Sequence, residues 1–199
     1  MSENWFKNWI GKVKQNEPKI GEGGERDVYI HPHDDKKILG IFHYRNDDPA
    51  SVNWYSQKTT FYLAKIAHIL FPEHIPRMHQ VTTEPGTVTR EYVSGQHSDK
   101  SHTNDAEAIR KLLEDAGFAL DPGTERNYKQ DVNGTIKYID TVYIRKNFYQ
   151  DLPRIETVVR QQLQGPQLRE ALHYVERLKD LHKQRERNFQ DNTDSAKDE

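Results

Sequence analysis

Ile20-Gly21-Glu22-Gly23-Gly24-Glu25-Arg26-Asp27-Val28-Tyr29 is the stretch on which the fold of this chain turns. Gly21, Gly23 and Gly24 crowd into four positions, and glycine lets other groups approach the main chain closely. The residues that follow, Asp27-Val28-Tyr29-Ile30, are strand-like, and so are Lys37-Ile38-Leu39-Gly40-Ile41-Phe42, with His31-Pro32-His33-Asp34-Asp35 between them as a hairpin connection. The cluster therefore sits among strands, whereas a dinucleotide fingerprint has to open a helix. Taken alone, it reads better as a plain β-turn.

Upstream, Trp5, Phe6, Trp9, Ile10 and Val13 recur at helical spacing with lysines between them. This predicts a short helix docking an aromatic face on the body of the protein; membrane-surface contact through residues 4–14 is the alternative. Downstream, an apolar stripe predicts a helix from Phe61 to Phe71, ended by Pro72 and Pro76. Val81–Thr83 and Thr87–Val93 are predicted strands joined at Glu84-Pro85-Gly86, and the polar stretch Ser94–Asn104 is an exposed loop. Asp105 caps a helix through Ala116 that stops at Gly117. Arg126–Gln130 and Thr135–Tyr143 form a hairpin around Val132-Asn133-Gly134, where Asn-Gly supplies the positive φ of a tight turn. Two helices follow, with Leu152, Ile155, Val158, Val159 and Leu163 on one stripe and Leu168, Leu172, Val175, Leu178 and Leu181 on the next, separated at Gly165-Pro166. From Asn188 the chain is polar and is expected to be disordered. Grouped rather than alternating strands and helices predict an α+β fold.

Composition narrows the function. Of 199 residues, 34% are apolar and 30% charged, so the core is thin; the net charge of −2 comes from interleaved acids and bases, which argues against nucleic-acid binding. The absence of cysteine excludes disulfides and thiolate chemistry. No apolar run reaches the roughly 18 residues of a membrane span, and there is no signal-peptide pattern, so a soluble cytoplasmic protein is expected.

The glycine-rich stretch resembles the phosphate-binding loop of protein kinases, in which backbone amides approach nucleotide phosphates and the following valine, here Val28, covers the adenine. A second segment resembles the same family. Asn127 and Asp140 lie 13 residues apart and flank the Asn133-Gly134 hairpin, as the catalytic-loop asparagine and the metal-binding aspartate do in kinases and related phosphotransferases. The resemblance covers roughly residues 19–142. It implies ATP as ligand, held by Gly21, Gly23, Gly24, Arg26 and Val28, with Mg²⁺ held by Asn127 and Asp140, both hard oxygen ligands. It further implies a kinase-like N-terminal lobe of antiparallel sheet plus one helix over residues 1–95. A reduced second lobe of hairpin and helices would follow over 96–187, with a tail over 188–199.

Departures from the pattern are as informative. Gly40 stands where the third strand should carry the phosphate-gripping lysine, and Lys36 and Lys37 lie earlier on that strand. Between Ser51 and Pro72 there is no Asp or Glu to serve as that lysine's partner. Losing both together avoids a buried unpaired charge. Asp121 resembles the catalytic aspartate but lies six residues before Asn127, one more than the family spacing, and Ala119 replaces the usual histidine. Asp140 is followed by Thr141-Val142 instead of Phe-Gly. Arg26 occupies the third-glycine position, from which some kinases supply the missing cation, although from the sequence it reads first as a solvated arginine beside Glu22, Glu25 and Asp27.

Three functions follow. The first is a pseudokinase-type nucleotide-binding or regulatory module. The second is an active minimal phosphotransferase using ATP and Mg²⁺ with rearranged groups. The third is an α+β interaction domain with no nucleotide site, working through an unknown protein partner. His31 and His33 beside Asp34 and Asp35 read as an incidental hairpin tip before a metal site. Tyr143, Tyr149 and Tyr174 read as packing residues, and the arginines of the last helices as a solvated face.

Overall fold

A computed structural model describes residues 3–22, 26–42, 57–83, 86–97, 103–120, 125–144 and 148–195, with side chains for all of these except 3–7, 83, 125 and 188–195. Gly23, Gly24 and Asp121 lie outside the described residues.

The chain is α+β. Its first part is a five-stranded antiparallel sheet built from β1 (Lys19–Glu22), β2 (Arg26–His31), β3 (Asp34–Phe42), β4 (Met78–Thr83) and β5 (Gly86–Glu91), in the order β1-β2-β3-β5-β4. Alternation along β3 sends Leu39 and Ile41 to one face, where they pack with Tyr29 against Val13 of helix α1 (Glu3–Asn16); Trp9 and Ile10 flank this contact. The opposite face carries Val88, which packs with Phe61 and Ala64 of α2 (Gln57–Leu70). The sheet is thus covered by an amphipathic helix on each side.

After the sheet, β6 (Gly95–His97), β8 (Tyr128–Asp131) and β9 (Ile136–Tyr138) form a second sheet in the order β6-β8-β9, and β7 (Ala119–Leu120) pairs with β10 (Val142–Tyr143). Between them lie α3 (Thr103–Asp115) and a 3₁₀ turn, Glu125–Asn127. Two helices close the chain, α4 (Phe148–Gln162) and α5 (Gly165–Ser195).

Three local expectations change. Gly95–His97, read as loop, is a strand, because Gly95 has no side chain: a Cβ there would fall 1.8 Å from the Gln130 carbonyl oxygen. α3 begins at Thr103, so Asp105 sits in its first turn, where a carboxylate still favours the helix dipole. The backbone of α5 continues helical to Ser195, past the point where the polar composition suggested order ends. Gly117 (φ +98°) stops α3 and Gly134 (φ +84°) closes the β8–β9 turn, both in the left-handed region that glycine enters without strain.

The main core is continuous from the first half of the chain into the second. Leu63, Ile66 and Ala67 of α2 pack in one cluster with Ile155 and Val159 of α4 and with Ala171, Val175 and Leu178 of α5. Ile66, Ile155 and Val159 are wholly buried. At about 25 cal/mol per Å² of apolar area, such side chains are the main source of stability.

Candidate functional site

A cleft of about 510 Å³ opens between the first sheet and the β8–β9 hairpin. Gly21, Arg26 and Val28 line one wall, and Asn127, Asp140 and Thr141 the other. Strands β1 and β2, on either side of the glycine cluster, and the late hairpin, far apart in sequence, therefore face a common space, and its volume suits a nucleotide-sized ligand.

Each wall is fixed by identifiable bonds. On the hairpin, Asp131 Oδ1 accepts the amides of Asn133 and Thr135 at 2.9 and 3.0 Å, which shapes the turn around Gly134. The strands then pair Tyr128 with Tyr138, and the Ile139 amide donates to the Asn127 carbonyl at 2.8 Å. That bond is why a 13-residue spacing brings Asn127 and Asp140 together. The buried Tyr138 hydroxyl donates to the Thr141 carbonyl at 3.1 Å, and the Arg90 guanidinium donates to the Ile139 carbonyl. The carbonyls on either side of Asp140 are thus both held.

On the opposite wall, Arg26 is not a solvated surface residue. Lys19 takes both Glu22 and Asp27, at 3.0 and 2.8 Å. The Arg26 side chain, only 14% exposed, reaches across the cleft, with Nη2 3.7 Å from Asp140 Oδ1. The same nitrogen donates to Thr141 Oγ1 at 3.3 Å, and the guanidinium lies 5.7 Å from the centre of the Phe42 ring.

Gly40 explains how Arg26 gets there. In the register of β2, β3 and β5, Gly40 lies between Val28 and Val88. A Cβ at Gly40 would come within 2.9 Å of Val88 Cγ1 and 3.2 Å of Arg26 Cδ. The space a lysine stem would need on the third strand is filled by the arginine stem from the second. Lys37 is bound instead to Asp34 at 2.7 Å.

Two cations not singled out from the sequence complete the site. Arg90, on β5, lines the back of the cleft; burial, reinforced by neighbouring Arg26 and opposed by Asp140, pushes its guanidinium down to about 9, so it is still charged at neutral pH. Lys129, on β8, lies 5.5 Å from the centre of the Tyr92 ring, and its ammonium donates to the Val93 carbonyl at 3.5 Å. Burial and then Arg90 lower its pKa. Among the described lining residues, the fixed cations Arg26, Arg90, Arg126 and Lys129 outnumber the carboxylates Glu22, Glu91 and Asp140. Composition hides this bias, since the whole chain is slightly acidic. Alternation on β5 puts Arg90 on the same face as Val88, which was the one available signal.

Of the tyrosines read as packing residues, Tyr174 stacks on Tyr62 at 5.8 Å, Tyr143 lines the cleft and Tyr149 is 64% exposed. At the β2–β3 tip, His31 Nδ1 accepts the His33 amide at 3.3 Å.

Among solved structures, the chain is similar to the Rio2 kinase from Chaetomium thermophilum in complex with ADP/Mg²⁺ and phosphoaspartate, with a TM-score of 0.42 and 15% identity over 84% of this chain and 65% of that one. It is also similar to WbdD crystallised with the kinase inhibitor LY294002, with a TM-score of 0.37 and 16% identity over 82% of this chain and 46% of that one. The chain therefore spans about half of WbdD and just under two thirds of the Rio2 chain. No family profile and no curated protein sequence matches it.

Proposed function

We propose that this chain is a degenerate kinase-like module of pseudokinase type, which binds a nucleotide in the cleft between the glycine turn and the Asp140 hairpin. One observation carries the reading: Arg26 crosses the space left by Gly40 to reach Asp140. A cation aimed at the carboxylate expected to serve phosphate chemistry is what a relocated phosphate grip requires, and a guanidinium matches phosphate oxygens well.

The residues suit ATP with Mg²⁺. Asn127 and Asp140 offer hard oxygens on one wall, and the surplus of cations favours a polyanion. The metal's contribution, when bound, is to neutralise charge on the phosphates. This chain's own residues do the rest. Arg26 holds phosphate oxygens, Gly21 permits close approach of the main chain, and Val28 with Ile38 provides an apolar cover for the base. Gly23 and Gly24 are assigned the same role as Gly21 in this reading.

The active phosphotransferase is the second reading, favoured by Asn127, Asp140 and Arg26 lining one space, because phosphoryl transfer depends mainly on positioning and charge neutralisation. Labelled ATP with Mg²⁺ separates the two. Binding without transfer is the expected result; autophosphorylation or transfer to a small acceptor assigns the chain to the second reading, with Asp121 as its candidate base. No binding at millimolar ATP leaves the interaction domain, or a nucleotide-free form of the first reading.

A further inference from the structure

The carboxylates that line the cleft are not equally placed. Among the described residues, Glu22 is held by Lys19 at 3.0 Å, and Glu91 accepts the Arg77 amide at 3.0 Å. Asp140 faces cations that come from two different strands. Arg26 arrives from β2, with Nη2 at 3.7 Å. Arg90 lines the back of the cleft from β5 and donates to the carbonyl of Ile139, the residue before Asp140. Burial and then Arg26 weigh against the charged form of Arg90, and Asp140 weighs for it, so the three groups share one electrostatic field.

Arg26 is not free to withdraw from this arrangement. A Cβ at Gly40 would fall 3.2 Å from Arg26 Cδ, so the stem lies close against the third strand. Its guanidinium donates to Thr141 Oγ1 at 3.3 Å and lies 5.7 Å from the centre of the Phe42 ring. A divalent ion on Asp140 would share that carboxylate with fixed positive charges, and like charges in a partly buried site repel. Among the described residues, no three His, Asp or Glu side chains gather to offset the repulsion. A polyphosphate meets the opposite situation, since the cations already stand where its charge would lie.

We infer that Arg26, backed by Arg90, takes the place of the divalent metal at Asp140, so that the cleft binds its nucleotide as the metal-free polyphosphate. This rests on the nucleotide reading above and concerns how the phosphates are neutralised. Asn127 and Asp140 supply oxygens of the right kind for Mg²⁺; the charge around them makes the ion dispensable. Mg²⁺ that arrives with the phosphates competes with Arg26 for the Asp140 oxygens and adds little to the grip.

The test uses the full chain and isothermal titration with ADP, once with EDTA and once with millimolar Mg²⁺. The expected result is a gain from Mg²⁺ of less than about threefold in Kd, or a loss. Arg26→Met keeps a stem beside Gly40 and removes the charge. Its metal-free affinity should fall about ten- to a hundredfold, and Mg²⁺ should then recover part of the loss, so that metal dependence appears where the parent has none. Asp140→Asn removes a charge that repels phosphate and competes for Arg26, so metal-free binding should tighten, whereas a ligand held through a metal would be weakened. This second variant and the parent titrations decide the matter should Arg26→Met fail to fold. A gain from Mg²⁺ above about threefold in the parent overturns the inference and leaves the nucleotide reading intact. Metal-free affinity unchanged in Arg26→Met, or weakened in Asp140→Asn, overturns it as well. If ADP binds under neither condition, the nucleotide reading and this inference fall together.

Discussion

Arg26 and Asp140 meet across the cleft at 3.7 Å, tying the second strand of the first sheet to the end of the late hairpin. Removing Arg26 should therefore act on the ligand more than on the fold. For Arg26→Ala, loss of a charge-assisted phosphate contact predicts a drop in nucleotide affinity of about 1.5–3 kcal/mol, roughly ten- to a hundredfold in Kd. Titration of the variant checks this; unchanged affinity would remove Arg26 from the site.

The complementarity of Gly40 and Arg26 makes a sharper test. Gly40→Lys forces a Cβ against Val88 and the Arg26 stem, and overpacking of this kind costs about 1–3 kcal/mol. Combined with Arg26→Ala, half of that clash disappears and a cation returns to the third strand. Chemical denaturation should show the double variant more stable than Gly40→Lys alone, and titration should show nucleotide affinity partly restored.

Protonation gives opposite signs for stability and binding. Arg90 is pushed down to about 9 by burial, so between that value and its ordinary one the unfolded chain holds more protons than the folded one. Stability from this group therefore rises with pH in that window. Anion binding needs the charged form of Arg90, and of Lys129, whose pKa is also lowered, so affinity should fall as pH rises past about 9. Titrations from neutral to alkaline pH check the sign, and Lys129→Met should flatten part of the decline.

At the far end of the molecule, burial lowers the pKa of His182, which stacks on Phe148 at 4.1 Å and faces Tyr149, Arg185 and Glu186. A buried histidine with a depressed pKa binds fewer protons folded than unfolded, so its contribution to stability is lost as pH falls from 6.5 towards the folded value. Melting temperature should decline on acidification through that range, and His182→Phe, which keeps the stack, should weaken the decline.

In the core, Ile155 is wholly buried against α2 and α5 partners. Ile155→Ala should cost about 2–5 kcal/mol by denaturant titration. Gly134→Ala probes the hairpin instead. With φ at +84° and only Gln130 Nε2 near an added Cβ, at an ordinary contact distance of 3.8 Å, the cost is mainly backbone strain, about 1–2 kcal/mol.

The local elements were readable because their signals are short-range. Periodicity marks the faces of α2, α4 and α5, and Asn133-Gly134 marks the one turn that sets Asn127 beside Asp140. The strand at Gly95 escaped because its pairing depends on what lies opposite, the Gln130 carbonyl, and not on its own polar residues. The role of Arg26 lay in a pair, since an arginine at one position becomes directed only when the glycine at another leaves it room. Arg90 and Lys129 carried no motif at all. Their place in the cleft comes from strand register, and their effect on one another from closeness in space.

The core that runs unbroken from Leu63 to Leu178 has a mechanical corollary. Helix α2 is anchored in that interior with α4 and α5 and packs Phe61 and Ala64 against the first sheet, so the cleft is a fixture rather than a jaw. A guest must fit walls already standing, and scattering profiles with and without it should superimpose. A single melting step, carrying α2 and α5 away together, is the matching thermal signature.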